Sequence, residues 1–256
     1  MVKNSNSPEL KNYEFYDSLS GYYDGMIKFD NALNRKAENF ANFITPGMKT
    51  AADFGCGSGV DAIALTRLGL TVTGFDSSQK MVNGAIENAK RMNSSAEFSV
   101  SGLSKIPKKY NGQFDFICST GNTIANLTTY DLQRTFEKAS SLLREPGVAL
   151  FHILNYERIL KEGKRILNIS ENESFTFVRF YEYKKSFLLF NVLIIDKAQP
   201  FKSEIITTKI YPHLPKYLIR MVKNAGFKEV VTFGNERKDE FKIDSSFDLF
   251  LYCKKA

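Results

Sequence analysis

Cysteine and histidine are scarce in this chain, and long apolar runs are missing. The 256 residues hold only 3 cysteines and 2 histidines. Cys56, Cys118 and Cys253 lie far apart, are odd in number and form no CxxC pair. That spacing excludes a disulfide framework and a cysteine-based zinc site, and reduced thiols are expected. No His/Cys/Asp cluster has the spacing of metal ligands, so a metal-free reaction is expected. The longest greasy run, FLLFNVLII at 187–195, is too short to span a bilayer and is interrupted by Asn191. The leading MVKNSNSPELKN has no apolar signal core, which points to a cytoplasmic protein with no membrane partner. Internal repeats, low-complexity tracts and the aromatic-basic runs that read RNA are also missing.

What is present suits a soluble chain with a sizeable core, because 43% of the residues are hydrophobic and 25% charged. The net charge of +7 is unevenly shared. Residues 1–150 carry 16 Lys+Arg against 15 Asp+Glu, and residues 151–256 carry 19 against 13. A basic second half is compatible with an acidic substrate or a nucleic acid, but its charges are interleaved with acids, as on an ordinary solvated surface.

From about residue 49 short apolar strands alternate with helical patterns. KTAADF is followed by a helix from Ser58, LTVTGFD by a helix from Ser78, then come AEFSV, FDFICS, a helix near 129–143, and VALFHIL. Repeated β then α predicts a parallel sheet with helices on both faces. After Asn155 the rhythm changes, and SFTFVRFYEY, SFLLFNVLIID and SEIITTKIYP read as successive antiparallel strands. The α/β rhythm returns in LPKYLIRMVKNAGF, where Gly226 suits a helix C-cap, and continues in KEVVTFG and FDLFLYC. The expected division is a helical cover over 1–46, a core over 47–155 and 213–256, and an antiparallel cover over 156–212.

The stretch AADFGCGSGV ends a strand on Asp53 and places Gly55, Gly57 and Gly59 in the turn that follows. Bare backbone there sits at the carboxyl end of a parallel sheet, where open α/β folds bind ligands. A pyrophosphate fingerprint would need its third glycine at position 60, which is Val. Asp76 ends the next strand, 21 residues beyond Gly55, where a carboxylate accepts both hydroxyls of a ribose. An acid at position 53 repels phosphates and suits an ammonium group. Asp76 also reads as a helix cap in DSSQ, and both uses remain open, with Ser77 or Ser78 as the alternative cap.

These residues resemble the acid-x-G-x-G-x-G motif of the class I S-adenosylmethionine-dependent methyltransferases. The resemblance implies a seven-stranded, mostly parallel, Rossmann-like sheet whose last strand is antiparallel, with S-adenosylmethionine as cofactor and S-adenosylhomocysteine as product. It assigns the methionine end and ribose to Asp53, Gly55, Cys56, Gly57 and Gly59, and the ribose hydroxyls to Asp76, with Ser77 and Met81 beside it. EFSVSGLSKIP is similar to the third strand and adenine loop, with Gly102 and Leu103 where the family usually carries an Asp nearby. FDFICSTGNTIANL resembles the GNS-x-x-x-L segment of the glycine N-methyltransferase branch, which makes Ser119, Gly121 and Asn122 cofactor-proximal. LNYERIL is similar to that branch's RNYD-x-IL.

One departure bears on the acceptor. Where the glycine enzyme has an Arg before NY, this chain has Leu154, so glycine is disfavoured as acceptor. On one face of the insert's first strand Arg179 and Tyr181 alternate with Phe177 and Tyr183, a place from which an acidic or planar group could be clamped. YEFYDSLSGYYDGMI resembles the aromatic lead-in that closes over the cofactor in small-molecule methyltransferases, implicating Tyr16 and Tyr22 at the sulfonium and Arg35 at the methionine carboxylate. His152, near the end of the fifth strand, is the candidate base, although methyl transfer from a sulfonium needs mainly alignment and desolvation. The expected function is transfer of a methyl group by in-line displacement to a small-molecule N- or O-nucleophile, by a monomer or homodimer. A nucleic-acid acceptor and a non-catalytic cofactor-binding regulator are the alternatives.

Overall fold

The computed structural model describes residues 9–199 and 202–255; most of the leading segment used in the leader argument lies outside them. Helices α1 (Asn12–Ile27) and α2 (Phe29–Phe40) come first, joined at Lys28 in the left-handed region. The α/β succession follows: β1 (Thr50–Phe54), α3 (Val60–Arg67), β2 (Thr71–Asp76), α4 (Gln79–Arg91), β3 (Glu97–Val100), β4 (Phe114–Ser119), α5 (Thr129–Leu142) and β5 (Leu143–Leu154). All six residues of β4 are buried, as expected for an interior parallel strand covered on both faces.

After β5 the chain makes α6 (Tyr156–Glu162) and four strands, β6 (Ile166–Glu171), β7 (Phe175–Tyr183), β8 (Leu188–Asp196) and β9 (Ser203–Ile210). These form a separate antiparallel sheet in the order β6-β7-β8-β9. Three of its strands match the sequence expectation; α6 and β6 are additions. β6 is an edge strand with exposed Ile166 and Ile169 and with polar Asn168 and Ser170 on either side of Ile169, so its alternation is too weak to announce it. The chain closes with α7 (Pro215–Asn224), β10 (Phe227–Phe233) and β11 (Asp248–Lys255).

The main sheet runs β10-β11-β5-β4-β1-β2-β3. Its central pairs are parallel, and β11 is antiparallel to both β5 and β10. The order reverses between β1 and β4, because β2 and β3 go to one side and β4 and β5 to the other. At that switch point the connections leave in opposite directions and open a crevice at the strands' carboxyl ends.

Each face of the sheet has its own core. One packs Phe29, Leu33, Ile63 and Leu65 against Phe116 and Leu150. The other packs Phe136 and Leu218 against Phe151 and Leu251. A third cluster lies above the crevice, where Phe15, Leu19 and Met26 of α1 meet Phe177, Val192, Ile194 and Ile206 of the insert sheet. Burying Phe15 and Leu19 contributes about 1.5 to 3 kcal/mol each, so the cover is held by hydrophobic burial. Asp17 ties the same helix to the core by accepting hydrogen bonds from the Ser78 hydroxyl and the Lys80 N–H.

Candidate active site

The turn after β1 folds back on β2, with the N–H groups of Gly55 and Cys56 both donating to the Phe75 carbonyl. Gly55 has φ of +76°, and a Cβ there would lie 2.3 Å from the Thr123 methyl carbon. Only glycine satisfies both constraints. Gly59 is different: a Cβ would lie 2.9 Å from the Phe98 ring and 3.0 Å from the Ala85 Cβ, so this glycine lets α3 start close against α4 and β3. It packs the motif and does not line the crevice.

Above this turn lies a cavity of about 530 Å³. Gly55, Cys56 and Gly57 form its floor, Asp76 and Ser77 one wall, and Gly102 and Leu103 the far end. Asp76 is held by backbone: Oδ2 accepts from the Gly57 N–H at 2.9 Å and Oδ1 from the Ser78 N–H at 2.9 Å. Burial pushes its carboxyl above the usual range, and these amides oppose that shift. Each carboxylate oxygen keeps a lone pair for a hydroxyl donor. The helix cap is Ser78, whose Oγ accepts from the Met81 N–H at 3.0 Å, so Asp76 is left free for the cavity. Met81 is buried inside α4 and does not reach it.

The cover supplies Tyr16 and, at the rim, Arg35. Tyr22 turns away and meets Phe175 edge-to-face at 5.0 Å, while Tyr23 lines the cavity. Helix geometry explains this: seven residues are nearly two full turns, so Tyr16 and Tyr23 share a face and Tyr22 does not. Burial pushes the Tyr16 hydroxyl up to about 12 and that of Tyr23 further, so both stay protonated.

Asp53 lies behind the floor, with Oδ2 buried and without a partner among the described residues. Its Oδ1 faces the Cys118 thiol at 3.7 Å. Burial, and then the charge of Asp61, hold the Asp53 carboxyl well above the ordinary range. Asp61 itself lines the cavity, hydrogen-bonded by the Thr120 hydroxyl, with its Oδ1 3.4 Å from the Lys36 ammonium. Burial works against the Lys36 charge, yet Asp61 and Glu236 raise its pKa. This acid-rich corner was only half legible in the sequence. Asp53 was visible in the motif, whereas Asp61, Lys36, Thr120, Thr123 and Asn126 were not singled out. Asp61 carries one signal, its place two residues beyond Gly59 in the first turn of α3.

After β4, Gly121 lines the cavity and Ser119 is buried beneath it, donating to the Phe54 carbonyl at 2.9 Å. Asn122 turns away from the cavity. Its backbone is left-handed, its Nδ2 donates to the Tyr156 hydroxyl at 2.8 Å and its Oδ1 accepts from the Leu154 N–H at 3.0 Å. His152 Nδ1 accepts from the Asn122 N–H at 3.2 Å, and its Nε2 faces Asp248 at 2.9 Å. With the ring also stacked on Phe250, both nitrogens are in use. The two residues latch the loop after β4 to the end of β5. Arg179 and Tyr181 belong to the inner face of β7, next to the cavity and outside its lining. Among the described residues no group of three or more His, Cys, Asp or Glu could hold a metal, and no helix is long and apolar enough to cross a membrane.

The switch-point crevice, the glycine turn and the ribose-type carboxylate fit an adenosine ligand bearing an amino-acid tail. An unpartnered carboxylate behind the floor and Asp61 beside it suit that tail's ammonium. Together, fold and site define a class I S-adenosylmethionine-dependent methyltransferase. Comparison with known proteins agrees. The family described as "Methyltransferase domain" matches residues 51–147. A glycine/sarcosine N-methyltransferase of Aphanothece halophytica is 23% identical over 91% of this chain and 87% of its own. A carboxy-S-adenosyl-L-methionine synthase of Nautilia profundicola is 24% identical over 88% of this chain and 91% of its own. The crystal structure of an S-adenosylmethionine-dependent methyltransferase from Clostridium acetobutylicum superposes with a TM-score of 0.77 at 14% identity, covering 94% of this chain and 99% of that one, a likeness of fold. Within the class the chain is glycine N-methyltransferase-like, and S-adenosylmethionine is its cofactor.

Proposed function

We propose that this methyltransferase modifies a small molecule at a neutral nitrogen or oxygen nucleophile. The observation that carries the reading is the cover: α1 is clamped between the crevice and the insert sheet, so an acceptor must fit beneath it. The similarity to small-molecule N-methyltransferases supports the same size class. In this reading the described residues of 9–46, 156–199 and 202–212 close the site and residues 47–155 with 213–255 hold the cofactor.

The residues present fit the cofactor part by part. Asp76 takes the ribose hydroxyls, the Gly55–Gly57 turn admits the tail, and Asp61 with Asp53 behind it favours the ammonium. Arg35 at the rim suits the carboxylate, and Gly102 and Leu103 flank the adenine. When bound, the cofactor supplies an electrophilic methyl on a sulfonium, open to in-line displacement. The rings of Tyr16 and Tyr23 offer that cation aromatic faces. Their hydroxyls, protonated at neutral pH, are not bases. His152 has no free nitrogen, so the acceptor must bring its own lone pair, and the protein's task is alignment and exclusion of water.

The test is formation of S-adenosylhomocysteine by the purified protein with a panel of small amines, amino acids and phenols, and with RNA as a separate arm. Turnover on a small molecule supports the proposal. Turnover confined to RNA overturns it, and cofactor binding without turnover on any arm favours a regulator.

A further inference from the structure

Arg179 is a cation without a counter-ion on an inward face. On β7, Phe177 and Tyr181 flank it on the same side, one packed on α1 and the other on the core below the crevice. Its pairing partner on β8, Val192, is fully buried. The Nε donates to the Asn168 side-chain oxygen on β6. No carboxylate among the described residues is in salt-bridge reach of it. Its two terminal amino groups have no protein acceptor there either. Arg179 is half-buried, so its charge is partly withdrawn from water with no acid to offset the cost.

What surrounds Arg179 is hydroxyl and amide. Its charge acts on the hydroxyls of Tyr16, Tyr23 and Tyr181. The Tyr181 hydroxyl lies beside that of Tyr156 without the geometry of a full hydrogen bond and has no other partner among the described residues. Tyr16 and Tyr23 also line the cofactor cavity, so the Arg179 corner adjoins the end of the cavity the tyrosines share. Asn126, which donates to the Tyr16 hydroxyl at 3.3 Å, keeps a buried Oδ1 without a partner among the described residues. A free fork of donors, phenolic donors and one open amide acceptor make an environment for an oxyanion that also bears a hydrogen-bond donor.

We propose that Arg179 and Tyr181 form the anion-binding part of the acceptor site, so that the acceptor is a small nucleophile carrying a carboxylate or phosphate group. The inference rests on the methyltransferase reading above. Arg179 grips the oxyanion through its terminal amino groups, Tyr181 donates to it from the core side, and the nucleophile is thereby directed toward the tyrosine-lined cavity. No bond is made or broken by these residues, and they act as binding and orienting groups.

The test separates this subsite from the cofactor site. The protein is loaded with S-adenosylhomocysteine, and acetate, inorganic phosphate and the neutral acetamide are titrated with melting temperature and calorimetry as readouts. The cofactor product stabilising the protein establishes the underlying reading on its own. Acetate or phosphate should then bind wild type, with acetamide inert, and the preferred anion tells carboxylate from phosphate. Arg179→Met, which keeps the apolar stem, should weaken that anion at least about tenfold, and Arg179→Lys should recover part of it, while product affinity stays within about twofold. In turnover, glycine against glycinamide and phosphoethanolamine against ethanolamine should favour the anionic member, and Arg179→Met should remove that preference. Equal anion binding by wild type and Arg179→Met, or no anion binding by the loaded wild type, overturns the proposal even if the cofactor binds.

Discussion

Asp76→Asn changes one oxygen to an amide nitrogen at the hinge between turn and cavity. In the native protein each carboxylate oxygen accepts one backbone N–H at 2.9 Å, from Gly57 and from Ser78, and has one lone pair left for a ribose hydroxyl. Asparagine keeps one acceptor oxygen, so one amide and one hydroxyl lose their partner and the remaining bond is no longer charge-assisted. A hydrogen bond to a charged group contributes about 1.5 to 3 kcal/mol, which corresponds to a loss of roughly 10- to 150-fold in affinity for S-adenosylhomocysteine. The orphaned amide adds about 1 to 3 kcal/mol of destabilisation, a cost carried by the ligand-free protein as well. Calorimetric titration gives the first quantity and urea unfolding the second. A 2′-deoxy analogue of the ligand completes the cycle: wild type should lose affinity for it, and the variant should lose much less. The pH dependence has a fixed sign, because Asp76 in the free protein has a raised pKa and the ligand prefers the carboxylate. Affinity should therefore fall as pH drops through that raised value, at a higher pH than an ordinary aspartate would give. Native-like affinity in a folded Asp76→Asn protein, or equal losses for the deoxy analogue in both proteins, would refute the ribose assignment.

S-adenosylhomocysteine at about a hundred times its Kd should stabilise the protein by about 2.7 kcal/mol in thermal unfolding, and NAD should not, since Val60 stands where a pyrophosphate loop needs glycine. Gly55→Ala puts a methyl 2.3 Å from Thr123 at a φ of +76°, so it should lower stability by about 1 to 3 kcal/mol and cofactor affinity with it; an unchanged melting temperature counts against the constraint. Asp53 has its pKa raised by burial and by Asp61, so its contribution to folding is present at low pH and lost as pH rises through the folded value. Ligand-free Asp53→Asn should accordingly gain stability relative to wild type as pH rises above the ordinary aspartate range, and parallel stability curves would reject this. His152→Gln should loosen the loop after β4, raising the KM for cofactor more than it lowers kcat; a collapse of kcat alone, with a lost pH limb, would restore His152 as a base.

Much of the fold was legible because its strands are long enough, and buried enough, to carry their own signal. β1 and β4 are buried at nearly every position and β11 carries the apolar run Leu249 to Cys253, and the helices between them start and stop at recognisable residues, such as the Ser78 cap and Gly226 after α7. β6 escaped because an edge strand need not alternate cleanly: its exposed isoleucines and inward polar atoms give no consistent face. The short α6 escaped for a related reason, since its seven residues are too few for helical periodicity to emerge. The third core, which holds α1 against the insert, was beyond sequence reasoning altogether, because it joins segments more than a hundred residues apart.

The site divides along the same line. Residues fixed by local backbone geometry, Gly55, Gly57 and Asp76, could be placed from spacing alone, because a strand, a turn and a helix start determine where they sit. Residues whose role depends on direction could not. Tyr22 and Tyr23 are adjacent in sequence, and only the helix phase relative to Tyr16 decides which one faces the cavity. Asn122 was expected near the cofactor from the GNS-x-x-x-L resemblance and His152 near the acceptor from its place at the end of the fifth strand; their side chains instead tie the loop after β4 to the end of β5, a use of polar groups that spacing does not reveal. Arg179 shows the converse. Strand alternation put it on the same face as Phe177 and Tyr181, and the fold then turned that face inward without supplying an acid to meet it. A half-buried charge without an acid partner is a cost to the ligand-free protein, and in the acceptor reading an anion arriving from outside offsets it.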